Sequence, residues 1–206
     1  MSKDNNDKIL QVVAEEDFVE KLTVASPAQA LAELIWNGLD AEATKVSVEA
    51  DISPLGILQA IRVRDNGHGI PHEEAEGLFM HLGGSWKRHA NKSKNGKRVL
   101  HGKEGKGRFR ALALGRVAEW LVTAPNKAKQ LVRYQITVIK DSAKQFRITP
   151  ASVVDDGIRA GIEVTISEPF KQWRLDAPTI FQELNEIYML YLKEYPGVQI
   201  SFLGNS

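Results

Sequence analysis

Apolar residues recur at helical spacing in "PAQALAELIWNGLD", where Leu31, Leu34, Ile35 and Leu39 fall on one side and Glu33, Asn37 and Asp40 on the other. Ser26 is a good N-cap and Pro27 suits the first helical position, so the helix is predicted to open there. The pattern then changes period. "KVSVEADI" alternates apolar and polar residues as a strand does, and "ILQAIRVRD" is a second strand, joined to the first through the turn "SPLG". The two are expected to pair antiparallel. A stretch rich in Gly, Lys and Asn follows, from Asn66 to Gly107, with one helix-like piece, "PHEEAEGLFMHL". A loop of that length inside a domain is usually functional or disordered.

Beyond it, "RFRALALG" reads as a short helix. "VAEWLVTA", "LVRYQITVI" and "GIEVTIS" read as strands, and "KQFRITPASVV" is a weaker candidate. A helix is predicted from about Asp176 to Glu194, with a last strand in "VQISFLG". Residues 1–8 are read as disordered and 9–24 as a short helix or an arm. The predicted plan is α+β: one mixed, mostly antiparallel sheet with helices on one face.

Composition narrows the class. A chain of 206 residues with 43% hydrophobic and 26% charged residues is long enough for one substantial core. It has no cysteine, which excludes disulfides and thiolate metal sites. The N-terminus lacks an apolar core segment, and no window approaches a membrane span, so the expectation is a soluble, cytoplasmic protein with no membrane partner. The net charge of +1 conceals an asymmetry: Lys87 to Arg110 holds ten basic residues against Glu104 alone. Such a run is either a solvated loop or an attractor of phosphates, those of a nucleotide or those of nucleic acid. All five histidines, His68, His72, His81, His89 and His101, lie in or near this region. They are read as surface of the long loop rather than a metal site, since Pro71 and the glycines disfavour a regular helix there.

Three clusters carry candidate chemistry. The polar stripe Glu33, Asn37, Asp40 could simply face water, although Asn37 and Gly38 are poor choices for an exposed helix. In "RDNGHGIP", Asp65 ends a strand and Gly67 and Gly69 make a tight turn that a flat ring could approach, with the carboxylate free to accept from an exocyclic amine. "GGSWK", with Ser85 and Lys87, precedes "GKEGKGRFRAL", in which Gly102, Gly105 and Gly107 let backbone N–H groups converge on an anion beside Lys103, Lys106 and Arg108. No P-loop is present, and no strand leads straight into these glycines as a Rossmann fingerprint requires.

Taken in order, these clusters resemble the GHKL ATPases: gyrase B subunits, ninety-kilodalton heat-shock chaperones, histidine kinases, MutL and MORC proteins. Glu33, Asn37, Asp40 and Ala41 match the form E-x-x-x-N-x-x-D-A, Asp65, Gly67 and Gly69 match D-x-G-x-G, and Gly102, Gly105 and Gly107 match G-x-x-G-x-G. The resemblance implies a Bergerat-type two-layer sandwich. It implies that Glu33 is the general base, that Asn37 holds Mg²⁺, that Asp65 receives the adenine amine and that Asp40 steadies the site. It also implies that residues 70–101 form a lid over the ATP phosphates, with Ser85, Lys87, Gly102, Gly105, Lys106 and Gly107 near them.

The Asp-Ala pair and the hydrolytic Glu disfavour a histidine kinase, and the direct passage from helix to strand in "DAEATKVSVEADI" is more similar to MutL and MORC proteins than to the chaperones. The family often places a Thr after a Gly on the strand closing the adenine pocket. Here Ile162 follows Gly161, and Thr165 supplies the hydroxyl. Residues 1–24 are expected to be an arm, 25–174 the ATP-binding domain, and 175–206 a connecting helix and the first strand of a second, transducer domain. The implied function is a Mg²⁺-dependent ATPase that gates homodimerisation in a larger protein. The alternatives left open are a DNA-binding module using basic residues 87–110 beside a vestigial nucleotide site, and a chaperone-like ATPase.

Overall fold

The computed structural model describes residues 7–11, 24–80, 98, 100–101, 107–155 and 157–203. Among them the chain forms one sheet with helices on its apolar face. In chain order the strands are β1 Lys8–Gln11, β2 Lys45–Ile52, β3 Leu58–Asp65, β4 Gly115–Pro125, β5 Leu131–Ile139, β6 Gln145–Ile148, β7 Ser152–Val153, β8 Gly161–Pro169 and β9 Gln199–Phe202. The helices are α1 Pro27–Asp40, α2 His72–Met80, α3 Gly107–Arg110 and α4 Pro178–Glu194. The sheet runs β1-β6-β5-β4-β8-β3-β2-β9, with β7 paired to β5. Every pairing is antiparallel except β2 with β9. This is the predicted α+β plan.

Alternation along the strands sorts the two faces. Val46, Val48, Ile61, Val63, Val164, Ile166, Ala118, Trp120 and Val122 are buried, and they join Leu31, Leu34, Ile35 and Leu39 of α1 in one core. Ala75 and Phe79 of α2 enter the same core, Phe79 edge-on to Trp120 and Phe146 at 5.7 and 5.0 Å. The opposite face is polar. Arg64 pairs with Glu163 at 2.7 Å and Glu49 at 3.6 Å, and Arg62 donates to Asp51 at 2.8 Å. Such half-exposed ion pairs contribute about 0–1 kcal/mol each, so the buried face carries the stability.

Local chemistry fixes the element ends. Ser26 and Gln29 form a capping box at the start of α1, with the Gln29 N–H donating to the Ser26 hydroxyl at 3.2 Å and the Ser26 N–H to Gln29 Oε1 at 3.3 Å. The β2–β3 hairpin turns at Ser53 to Gly56, where the Gly56 N–H donates to the Ser53 carbonyl at 2.9 Å and Gly56 adopts φ +76°. The predicted helix "RFRALALG" is one turn of α3 followed by a 3₁₀ turn, Ala111–Ala113.

Two expected boundaries are corrected. The arm assigned to residues 1–24 is not wholly separate from the fold, because Lys8–Gln11 adds an edge strand to β6, with Leu10 buried against the core; residues 1–6 and 12–23 lie outside the described residues. The described residues from 175 to 203 pack on the same core and sheet as the rest. The Tyr188 hydroxyl of α4 donates to the Ala32 carbonyl of α1 at 2.7 Å, and β9 extends the same sheet alongside β2. The reason is apolar: Leu175, Leu184, Tyr188, Tyr191 and Phe202 are all buried in the one core. Among the described residues no helix is long and apolar enough to cross a membrane.

Candidate functional site

The polar stripe of α1 does not face water. Asp40 is 3% exposed, Glu33 and Asn37 are partly covered, and Gly38 beside them is buried. What covers the stripe is the rest of the candidate site. A Cβ built on Gly107, the last glycine of the third cluster, would lie 2.8 Å from Glu33 Oε2 and 3.4 Å from Asn37 Nδ2. A Cβ built on Gly38 would lie 2.8 Å from Asp65 Cβ. Clusters from three distant parts of the sequence therefore meet on one helix, at glycines that leave room for close approach.

The Asp65 turn is tightly built. Asp65 Oδ1 accepts the Gly67 N–H at 2.8 Å, and the His68 N–H donates to the Ala41 carbonyl at 3.0 Å. Asn66 ties the turn to the connection between α1 and β2: its Oδ1 accepts from the Thr44 and Lys45 N–H groups at 2.9 and 2.8 Å, and its Nδ2 donates to Thr44 Oγ1 at 3.0 Å. Gly69 adopts φ +67° with its α-carbon against the Thr123 carbonyl, where no side chain fits. Burial pushes the Asp65 carboxyl up to about 6, against the opposing pull of the Gly67 and Ile162 N–H groups. Such a carboxyl is an acceptor whose desolvation makes it worth matching with a donor.

After Gly69 the chain is fastened to the sheet. The Tyr134 hydroxyl donates to the Ile70 carbonyl at 2.7 Å, and His72 Nε2 bonds the Thr149 carbonyl at 3.0 Å. The return segment is fastened to α1, since Asp40 Oδ1 accepts the His101 N–H at 3.0 Å and Arg98 donates to the Leu39 carbonyl at 3.4 Å and to that of Ala43. Asp40 thus engages backbone near the third cluster. Ser85, Lys87, Gly102, Gly105 and Lys106, most of the expected lid and most of the basic run lie outside the described residues.

Thr165 requires a correction. Asp65 pairs with Ile162 in the β3–β8 register, and both lie on the core face with Val63 and Val164. Thr165 pairs with Arg62 and Glu119 on the polar face, so its hydroxyl does not reach the Asp65 side. The residue beside Asp65 is Ile162. Sequence reasoning also passed over Asn66 and the role of Gly38. A glycine on the buried side of a mid-helix turn was the available signal for the latter. Among the described residues no group of three or more His, Cys, Asp or Glu side chains could hold a metal ion.

The chain resembles known proteins. Residues 25–160 match the family described as "Histidine kinase-, DNA gyrase B-, and HSP90-like ATPase". The chain is 31% identical over 166 residues to a "DNA mismatch repair protein MutL" of Exiguobacterium sibiricum, a match covering 80% of this chain and 24% of that protein. It is 47% identical over 57 residues to the protein of the same name from an Exiguobacterium species, covering 28% of this chain and 9% of the relative. A MutL of Halothermothrix orenii is 45% identical over 56 residues, 27% of this chain and 8% of the relative. The chain therefore spans no more than about a quarter of the length of these relatives.

Proposed function

The chain belongs to the histidine kinase-, DNA gyrase B- and HSP90-like ATPase family and is related to MutL; from that premise we propose that it binds ATP at the meeting point of its three clusters and hydrolyses it with Mg²⁺. The observation that carries this reading is the close approach of Gly107 to Glu33 and Asn37 on the same helix whose Gly38 abuts Asp65. Asp65 accepts the exocyclic amine of adenine, and the buried carboxylate makes an unmatched base costly. The phosphates lie towards Gly107, on the side of α1 that carries Glu33 and Asn37.

The side-chain carbonyl of Asn37 and the carboxylate of Glu33, one helical turn apart on α1, are hard oxygen donors of the kind Mg²⁺ takes, so the donor set fits Mg²⁺. Asn37 would hold the ion, which when bound with phosphate offsets charge developing in phosphoryl transfer. Glu33 takes the proton of the attacking water and orients it towards the terminal phosphorus. Asp40 keeps the backbone at His101 in place.

In a larger protein this domain acts as a nucleotide-gated switch, two subunits associating when ATP is bound. The name of the matched relatives and the basic run from Lys87 to Arg110 favour a DNA-related setting, with the run contacting phosphates. A fluorescent ATP analogue titrated with and without Mg²⁺ tests the nucleotide site. Wild type is expected to bind saturably and Asp65→Asn not to bind. Glu33→Gln should keep binding and lose about 10²–10⁴-fold in turnover. Equal binding by wild type and Asp65→Asn would sink the proposal, and sedimentation with a non-hydrolysable analogue tests the association.

A further inference from the structure

His101 stands just ahead of the third cluster, and its imidazole lies flat on the indole of Trp36, with centroids 3.7 Å apart and planes at 13°. At 100° per residue Trp36 falls about 40° beyond Asp40, at the edge of the stripe that holds Glu33, Asn37 and Asp40. Two groups of His101 are therefore held by one short stretch of α1: its backbone N–H by Asp40 at 3.0 Å and its ring by Trp36. A hydrogen bond to the backbone fixes position, and a ring stack fixes the plane of the side chain. At the far end of the segment, Gly107 meets Glu33 and Asn37.

Helix α4 backs this contact. Tyr191 is edge-on to Trp36 at 5.1 Å and 88°, and to His101 at 5.5 Å and 78°. Tyr188 tilts against Trp36 at 4.7 Å while its hydroxyl holds the Ala32 carbonyl. The Arg98 guanidinium lies 5.8 Å from the centre of the Tyr195 ring. Covering an indole needs only apolar bulk. A flat imidazole whose own backbone bonds the neighbouring carboxylate is a more exacting arrangement than that.

We propose that Trp36 and His101 form a clasp that sets where the backbone enters the glycine-rich segment relative to Glu33 and Asn37, which makes both of them positioning residues for ATP hydrolysis. The inference rests on the ATPase reading above. Neither side chain touches the reacting atoms; they act by holding the backbone at His101, through its N–H and its ring, on the helix that carries Glu33 and Asn37. Loss of the ring stack leaves His101 held by its N–H alone, free to shift against a helix whose Glu33 stays in place.

The test uses the full chain with His101→Ala, His101→Phe and Trp36→Leu, measuring kcat, Kd for Mg-ATP and thermal unfolding. His101→Ala and Trp36→Leu are expected to lower kcat by about ten- to a hundredfold, with a smaller change in Kd and a melting temperature close to wild type. His101→Phe keeps a flat ring on the indole and should recover most of the lost kcat. A folded His101→Ala within about twofold of wild type in kcat, or a Phe variant no better than the Ala variant, overturns the clasp and leaves the ATPase reading standing. A wild type that binds no Mg-ATP overturns the ATPase reading and the clasp with it.

Discussion

Gly38 is pressed against the side chain of Asp65: a methyl group at position 38 would sit 2.8 Å from Asp65 Cβ and 3.2 Å from its Cγ. The helix that carries the candidate base and the turn that carries the candidate adenine acceptor are thus in direct contact. Their separation is set by the absence of one carbon.

Gly38→Ala should therefore behave unlike an ordinary glycine replacement in a helix. Propensity alone would stabilise by about 1 kcal/mol. Overlap with Asp65 Cβ, which belongs to a strand end and not to a flexible tip, should cost about 1–3 kcal/mol. The expected result is an unchanged or lower melting temperature and an ATP-analogue Kd raised by about tenfold or more, because the Asp65 carboxyl is displaced. A variant that is more stable and binds as tightly as wild type would show that the contact is soft.

Asp65 should also make stability depend on pH. Burial raises its carboxyl from 3.8 to about 6, so the native state holds the proton more tightly than the unfolded chain does. Its contribution favours folding below about 3.8, fades as pH rises through about 6, and leaves a penalty above that. The gap corresponds to on the order of 3 kcal/mol. Asp65→Asn cannot ionise, so it should be more stable than wild type by about 1–3 kcal/mol at pH 8 and by much less at pH 4. ATP binding runs the other way, since the ionised form is the better acceptor, and wild-type affinity should fall as pH drops through about 6. Denaturant unfolding at both pH values checks this, and a stability difference that is the same at each would contradict it.

Much of this arrangement was legible in the sequence, and the gaps have physical causes. The helix from Pro27, the hairpin of β2 and β3, and strands β4, β5 and β8 announce themselves because periodicity is a local signal. Strand β1 does not: "KILQ" has one buried residue, Leu10, and its partner β6 lies far along the chain. The helix α4 and strand β9 were visible as elements. Their attachment to α1 and β2 was not, because periodicity says what is buried and not against what. Thr165 is different. It stands three residues beyond Ile162, and an odd step along a strand changes face, so its separation from Asp65 could have been read from parity alone.

Ile162 pairs with Asp65 across the β3–β8 register, and it lies partly buried against the core. Ile162→Thr is expected to cost about 1–2 kcal/mol of stability by placing a hydroxyl among apolar neighbours. It should also add a polar contact beside the candidate base site and tighten ATP-analogue binding by about three- to tenfold. Titration of the two proteins under one set of conditions decides the matter, and unchanged or weaker binding would mean that position 162 lies off the base.

The packing of α4 and β9 makes a prediction about where the domain can be cut. If residues beyond Arg174 belonged to a separate unit, a chain ending there would fold. Instead, Leu175, Leu184, Tyr188, Tyr191 and Phe202 are each no more than 6% exposed, in the same core as α1 and β2. Burying side chains of this size contributes about 1.5–3 kcal/mol apiece. Their combined loss is comparable with the roughly 5–15 kcal/mol that holds a typical domain together. Removal would also leave the outer edge of β2 without its β9 partner and Trp36 without Tyr188 and Tyr191. The chain cut after Arg174 is therefore expected to lose cooperative unfolding and to aggregate, as followed by circular dichroism and light scattering. A truncated chain that melts cooperatively and still binds the ATP analogue would restore the boundary at residue 175.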